Sequence, residues 1–401
     1  MPPGENDERA PPVSGPDRLG ALPDDVLHHV LSFLPVESAV RTCVLARRWR
    51  HLWRSTTGLR IVGLDDSNFQ DLRWFMEHLL ILRERTNLDT VEIKIGEYSQ
   101  ADNVHHYVNL WIRYAVICKV QVLKLDIYDA DISVPLFSRH LRTLDLQGVF
   151  LRRTFLDFAK CPALEDLKMS HCYIDSERIS SHYLKHLSIS DCQSDLEVHV
   201  STPGLVSLEL VRFIGTKPFL EDMPFLDTAY VDLDGGSEDV CLYYGTVVSC
   251  GDNDITCVNC VRIKDDRSSD CVLLNGISSA KHLKLLSEGG KLVFTRELKN
   301  CPTFSKLKTL LLNEYWCEAP NLDPLGCILK NSPVLEKLTL QLFSKGPNLE
   351  VEMKGSCSPM EEPSAISKHL NMVEIKCNVA DERIHKVLKF LSAFNIRFDV
   401  E

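Results

Sequence analysis

Few side chains in this 401-residue sequence stand at spacings that do chemistry. Cys257 and Cys260 (CVNC) have the spacing of half a zinc site. A structural site needs a second pair at matching spacing, and Cys241, Cys250 and Cys271 do not supply it. DLDGGSED, residues 232–239, starts like a calcium loop, with Asp232 and Asp234 at its first and third positions. Ser237 then stands where the sharp turn requires glycine, so the run reads as an acidic surface turn. The pairs His28–His29 and His105–His106 fall in helical stretches, where adjacent side chains diverge. HExxH, GxGxxG, GxSxG and phosphate-cradling GxxxxGK runs do not occur. Catalysis, a metal and a cofactor are therefore not expected, and function is sought in binding surfaces.

Hydrophobic content of 44% and charged content of 25% are ordinary for a soluble globular chain long enough for more than one domain. The formal net charge of −11 disfavours non-specific nucleic-acid binding. No window approaches the roughly 18 continuous apolar residues of a membrane span, so no membrane is expected as partner. MPPGENDERAPPVSGP (1–16) is polar and Pro-rich; it reads as a disordered tail without a secretory signal. The 15 cysteines are odd in number and scattered, which suits reduced, buried thiols in the nucleus or cytoplasm.

One stretch carries more apolar surface than its length can bury: LPDDVLHHVLSFLPVESAVRTCVLARRWRHLW, residues 22–53. Val26, Leu27, Val30, Leu31 and Leu34 form one broad face of a helix. Pro23 suits its first turn, Asp24 and Asp25 its positive end, and Pro35 stops it. A second amphipathic run places Leu45, Trp49, Leu52 and Trp53 on one side and Arg47, Arg48 and Arg50 elsewhere. Such a face implies a partner, either another protein or the rest of the chain. The arginines from Arg41 to Arg54 also fit a nuclear-localisation or nucleic-acid patch, but they share short helices with the apolar face and read as its solvated side.

The segment resembles the plant form of the F-box, through Leu22, Pro23, Val26, Leu27, Val30, Ser32, Phe33, Leu34 and Pro35. The match continues without a gap through Ala39, Val40, Arg41, Thr42, Cys43, Leu45, Arg47, Arg48, Trp49, Arg50, Leu52 and Trp53. By that resemblance the apolar face docks on the Skp-type adaptor, and through it the cullin, of an SCF (Skp, cullin, F-box) ubiquitin ligase. The implied adaptor-binding residues are Leu22, Pro23, Val26, Leu27, Val30, Leu31, Leu34, Pro35, Val40, Leu45, Trp49, Leu52 and Trp53. Docking requires those leucines and tryptophans to be open rather than sealed against the chain's own repeats.

The remaining sequence is a ladder of one phrase with apolar residues at positions 1, 4 and 6. It appears as LDTVEI (88–93), VQVLKL (120–125), LRTLDL (141–146), LEDLKM (164–169), LKHLSI (184–189), LVSLEL (205–210), LKTLLL (307–312) and LEKLTL (335–340), with weaker copies at 280–285 and 370–375. Leu123, Leu144, Leu167, Leu187 and Leu208 lie 21, 23, 20 and 21 apart, the interval of a leucine-rich repeat. In a strand, positions 4 and 6 face one interior, and only stacked turns bury it. Position 9, which settles the bend, holds Val149, Cys172, Cys192, Phe213 and Phe343. Convex connections with little regular helix are expected, and from 212 to 280 the register is hard to follow. Phe69, Leu72, Met76, Leu79 and Leu80 form a helical stripe ending near Arg83. Tyr107, Trp111, Tyr114 and Ala115 form another; both read as helices covering the open edge of the first turns.

Beyond the F-box, FSKLKTLLLNEYWC (304–317), LGCILKNSPVLEKLTLQL (325–342) and HLNMVEIKCNVADERIHKVLKFLSAF (369–394) resemble plant F-box proteins with leucine-rich repeats and an FBD-type C-terminal region. The last phrase reads as a strand and an amphipathic helix, with Ile384, Val387, Leu388 and Leu391 apolar, closing the C-terminal end. The fold class is α/β: F-box helices, then an irregular repeat solenoid with parallel strands on its concave face, then a strand–helix cap. Its divisions are a tail at 1–16, the F-box at 17–60, a helical cap and first repeat at 61–118, repeats at 119–345 and the FBD-type region at 346–401.

The implied function is a non-catalytic, substrate-recruiting subunit, with a protein substrate on the concave strand face. The outward residues of the clearest turns are Thr143, Asp145, Asp166, Lys168, His186, Ser188, Ser207, Glu209, Thr309, Leu311, Lys337 and Thr339. Their charges are mixed, without the basic cluster that would cradle an inositol phosphate, so no cofactor is expected. Recognition by loops or the end helix stays open. The rival is a non-ligase repeat scaffold or ligand sensor whose N-terminal helices pack on its own repeats.

Overall fold

The computed structural model describes residues 21–63, 69–96, 103–233, 273–287, 294, 297–317, 322–343, 351–357, 367–377, 382–393 and 396–399. The tail at 1–16, the CVNC pair and most of DLDGGSED lie outside the described residues.

One 14-stranded sheet runs the length of the molecule. Its strands are β1 (Gly58–Gly63), β2 (Thr90–Ile95), β3 (Val122–Ile127), β4 (Thr143–Gln147), β5 (Asp166–Ser170), β6 (His186–Ser190), β7 (Ser207–Val211) and β8 (Thr228–Leu233). They continue as β9 (His282–Ser287), β10 (Thr309–Asn313), β11 (Lys337–Leu342), β12 (Val351–Cys357), β13 (Met372–Cys377) and β14 (Ile396–Asp399). From β1 to β11 each strand pairs in parallel with the next, and β13 pairs in parallel with β11. This mixed α/β architecture, helices first and then a long run of parallel strands, is the expected solenoid. All ten copies of the phrase become strands of this sheet. Leu141, Leu144 and Leu146 are buried, as are the matching residues of the neighbouring turns. Through the difficult stretch β8 and β9 stay in register, Thr228 opposite His282.

Two details complete the repeat. Val149, Cys172, Cys192 and Phe213 are buried at the bend, and the thiols of Cys172 and Cys192 donate to the carbonyls of Leu146 and Ser190, 3.5 and 3.4 Å away. The residue before the bend is left-handed in five successive turns: Asp129, Gly148, His171, Asp191 and Arg212, with φ between 48° and 72°. Each donates its backbone N–H to the next turn, as Gly148 does to the Ser170 carbonyl at 3.0 Å. Between β3 and β8 the convex side carries short strands, in a five-stranded and a three-stranded set, while helices connect the first turns and, at Asp323–Lys330, β10 to β11.

Helix α1 (Asp24–Ser32) and helix α2 (Val36–Arg41) precede β1; α3 (Phe69–Leu82) and α4 (Val104–Ile117) follow. Helices α3 and α4 connect β1 to β2 and β2 to β3 and cover the first turns as expected, burying Phe69, Leu72, Met76, Leu79, Trp111 and Ala115, though from the convex side and not over the open edge. The edge of β1 is covered by the F-box segment itself. Pro35 bridges to Arg60 of β1, and the Arg60 guanidinium donates to the Phe33 carbonyl at 2.7 Å. A Cβ on Gly58 would lie 2.4 Å from the Ser32 carbonyl oxygen, so only glycine lets α1 end this close to β1. β1 spans residue 60, and the division drawn there falls inside a strand.

At the other end β13 and the helix Glu382–Ser392 form the expected strand–helix unit, burying Ile384, Val387 and Leu391. Two further strands complete it: β12 runs antiparallel to both β13 and β14, which the repeat phrase does not signal.

Candidate functional site

The run from Thr42 to Ser55 is three short 3-10 turns and not a second long helix. An extended Ala46 (φ −159°, ψ 160°) breaks it, so Leu45 parts from Trp49, Leu52 and Trp53. The F-box segment therefore has two apolar sides. The inner side is Leu27, Leu31, Val36, Ala39, Trp49, Leu52 and Trp53, all buried in one continuous core with Leu59 and Ile61 of β1 and Met76 and Leu79 of α3. This corrects the expectation of open leucines and tryptophans: Leu27, Leu31, Trp49, Leu52 and Trp53 are sealed inside the chain. They shape the segment and are not its surface.

The outer side remains open. Val26, Val30 and Phe33 follow one stripe of α1, and Val44 and Leu45 lie on the first 3-10 turn, 83% and 67% exposed. Pro23 and Pro35 are exposed beside them, while Leu22, Leu34 and Val40 are half-buried. Phe33, Val44 and the division into two sides were not singled out as surface by the sequence pattern; a helical wheel spread over adjacent apolar pairs such as Val26–Leu27 and Val30–Leu31 carries the only signal.

Polar contacts hold the segment in place. Arg48 forks onto the Asp24 carboxylate at 2.6 and 2.9 Å, tying the second 3-10 turn to the start of α1. Arg41 faces Glu37 at 3.5 Å, and the Arg54 guanidinium lies over the Trp53 ring. Arg83, buried at the end of α3, donates to the Thr56 hydroxyl at 2.9 Å, to the Thr56 carbonyl and to the Trp53 carbonyl at 3.3 Å. Burial pushes the Arg83 guanidinium down from its ordinary value, and burial likewise raises the Tyr114 phenol beside it to about 12.

The strand-face residues do share one surface, in registered rows. Thr143, Asp166, His186, Ser207, Thr309 and Lys337 occupy one row; Asp145, Lys168, Ser188, Glu209, Leu311 and Thr339 occupy the next. Thr339 is buried, which corrects its place among the open residues. The same register adds residues the sequence reading passed over: Arg60, Glu92, Lys124, Tyr230 and Lys284. Signs alternate along this second row, Arg60, Glu92, Lys124, Asp145, Lys168. Much of the face is braced against itself. Arg60 meets Glu92 at 2.7 Å, Ser188 donates to Glu209 at 2.9 Å, and Lys337 meets Glu374 at 3.1 Å. Lys284 sits 3.9 Å from the centroid of the Tyr230 ring.

Among the described residues no group of three or more His, Cys, Asp or Glu could hold a metal ion, and no helix is long and apolar enough to cross a membrane.

A small helical segment with an open apolar side, fused to the first edge of a leucine-rich-repeat solenoid, defines a class of modular repeat protein. Comparison with known proteins narrows the class. Residues 19–59 match the F-box domain. The chain is 30% identical to the meiotic F-box protein MOF of Oryza sativa subsp. japonica, over 90% of this chain and 80% of that protein. Two F-box/FBD/LRR-repeat proteins of Arabidopsis thaliana are 27% and 28% identical, covering 94% and 90% of this chain and 90% and 84% of their own length. The chain belongs to the plant F-box family with leucine-rich repeats and an FBD-type region. F-box proteins are generally adaptor subunits rather than catalysts.

Proposed function

We propose that this protein is the substrate-recruiting subunit of an SCF-type ubiquitin ligase, acting in the nucleus or cytoplasm without catalysing the transfer itself. The open outer side of the F-box segment carries this reading: Val26, Val30, Phe33, Val44 and Leu45 are exposed apolar residues on a segment that matches the F-box domain. They would meet the Skp-type adaptor, with Pro23 and Pro35 at their margin, and the cullin would follow through the adaptor. Rate would come from holding a substrate lysine near a charged conjugating enzyme, and hence from effective concentration and orientation. The repeats of 119–345 would hold the protein substrate, and 346–401 would close the solenoid.

The test is capture of a purified Skp-type adaptor by the full-length chain. Wild type should retain the adaptor, and Val30→Glu with Leu45→Glu should lose it while keeping the same circular dichroism. Equal capture by that double variant defeats the assignment. A scaffold or ligand sensor is the second reading, favoured by the inner side being sealed in the chain's own core; it predicts no capture by wild type.

A further inference from the structure

In each turn, the residue before the first leucine of the phrase sits on the rim where the chain enters its strand. Strand register aligns five of these into one row across β5 to β9: Ala163, Tyr183, Gly204, Phe225 and Ser279. The backbone repeats with them, since Leu164, Leu205, Leu226 and Ala280 each close the same three-residue turn onto Cys161, Thr202, Met223 and Ile277. Small residues therefore alternate with two exposed rings, Tyr183 at 48% and Phe225 at 71% exposure. Neighbouring strands lie about 4.8 Å apart, so the small positions recur about every 9.6 Å. A polyproline II helix advances about 9.3 Å per three-residue turn, almost the same interval.

Charges beside the row are paired within the rim: Glu165 meets Lys185 at 2.6 Å and Asp227 meets Lys281 at 2.8 Å, with Val206 between the two pairs. On β10 the row continues as exposed Lys306, the cationic end of an otherwise charge-paired, corrugated rim that suits an uncharged ligand. The Tyr183 hydroxyl makes no hydrogen bond among the described residues and is free to donate to a peptide carbonyl. Lys306 donates to the Pro224 carbonyl at 3.1 Å and steadies the turn that presents Phe225.

We infer that this rim docks a proline-rich segment in the polyproline II conformation, its prolines at every third residue seated over Ala163, Gly204 and Ser279 between the rings. The inference rests on the recruiting role for its purpose, naming a substrate class, but its test does not depend on the adaptor. Aromatic-lined grooves take such segments because the ligand is already extended and loses little entropy on docking.

The experiment is fluorescence anisotropy of labelled decaproline titrated with the full-length chain, with a Gly-Ser peptide of equal length as control. Decaproline should bind saturably and the control should not. Tyr183→Ala and Phe225→Ala should each weaken binding about tenfold or more, as for exposed aromatic anchors, while Ile81→Ala, an exposed apolar residue on α3 far from the rim, leaves it unchanged. Adaptor capture by the same variants should stay at the wild-type level, so that failure of the rim and failure of the recruiting role are read separately. The inference is overturned if wild type ignores decaproline, or if the Tyr183→Ala, Phe225→Ala double variant binds it equally. It is also overturned if the rings prove to hold a second copy, seen as a concentration-dependent dimer lost in that double variant.

Discussion

Arg83 joins the two halves of the molecule, because its guanidinium satisfies the Thr56 and Trp53 carbonyls just where the F-box segment runs into β1. Replacing Arg83 by Met keeps the stem but leaves buried acceptors without donors, a loss of about 1–3 kcal/mol. The chemical-denaturation midpoint should fall, whereas an unchanged midpoint would show that water reaches those carbonyls instead. Sites on the outer side of α1 behave differently. Val30→Glu and Leu45→Glu put charge where solvent already reaches, so stability should move by no more than about 0.5 kcal/mol while adaptor capture is lost. Leu27→Glu buries a charge in the core and should unfold the segment, because an unpaired buried charge costs several kcal/mol. A triple charge substitution at Leu27, Leu31 and Trp49 would therefore report on folding and not on docking.

At the scale of the element, each turn depends on a left-handed residue before its bend. Gly148 has φ 72°, and a Cβ there would lie 3.2 Å from the Ile127 carbonyl oxygen. Gly148→Ala should cost about 1–2 kcal/mol, measured as a lower melting temperature. The C-terminal end adds a pH dependence. Burial pushes the Glu374 carboxyl up, but the hydrogen bond from Lys337, with Lys376 and Thr339 close by, outweighs it and holds the group below its ordinary value. A depressed folded value contributes stability above the unfolded pKa of about 4.3 and loses it as pH falls through the folded value. Lys337→Met should thus lower the melting temperature near neutral pH, with the two proteins converging as pH falls below the depressed folded value and the carboxyl becomes protonated in both. The strands were legible because their period of two survives in single phrases such as LRTLDL. The strand β12 was not, since VEMKGSC alternates but lacks the leucines of the repeat phrase and owes its place to antiparallel partners. The two-sidedness of α1 was hidden for a related reason. Adjacent apolar pairs spread over more than one face, and a sequence does not say which face another element covers.

For the molecule as a whole, the two sides of the F-box segment can be tested separately. Its inner side closes the first edge of a long parallel sheet, through the Pro35–Arg60 bridge and the packing of Leu27, Leu31 and Trp53 over Leu59 and Ile61. An exposed parallel edge with apolar neighbours pairs readily with other chains. Deleting residues 1–57 should therefore give aggregated repeats, seen by size-exclusion chromatography, whether the protein is a ligase subunit or a scaffold. Insolubility of the truncated chain consequently decides nothing between them. The outer side decides it. If the segment only caps the solenoid, Val30→Glu with Leu45→Glu should leave every measurable property intact. If it also recruits, the same variant should remain monomeric and folded, with amide protection of β1 unchanged, and should lose the adaptor. Hydrogen exchange on the wild-type chain adds the positive side of this test, because the adaptor should slow exchange across α1 and the Thr42–Val44 turn while leaving the distant β9 to β11 untouched.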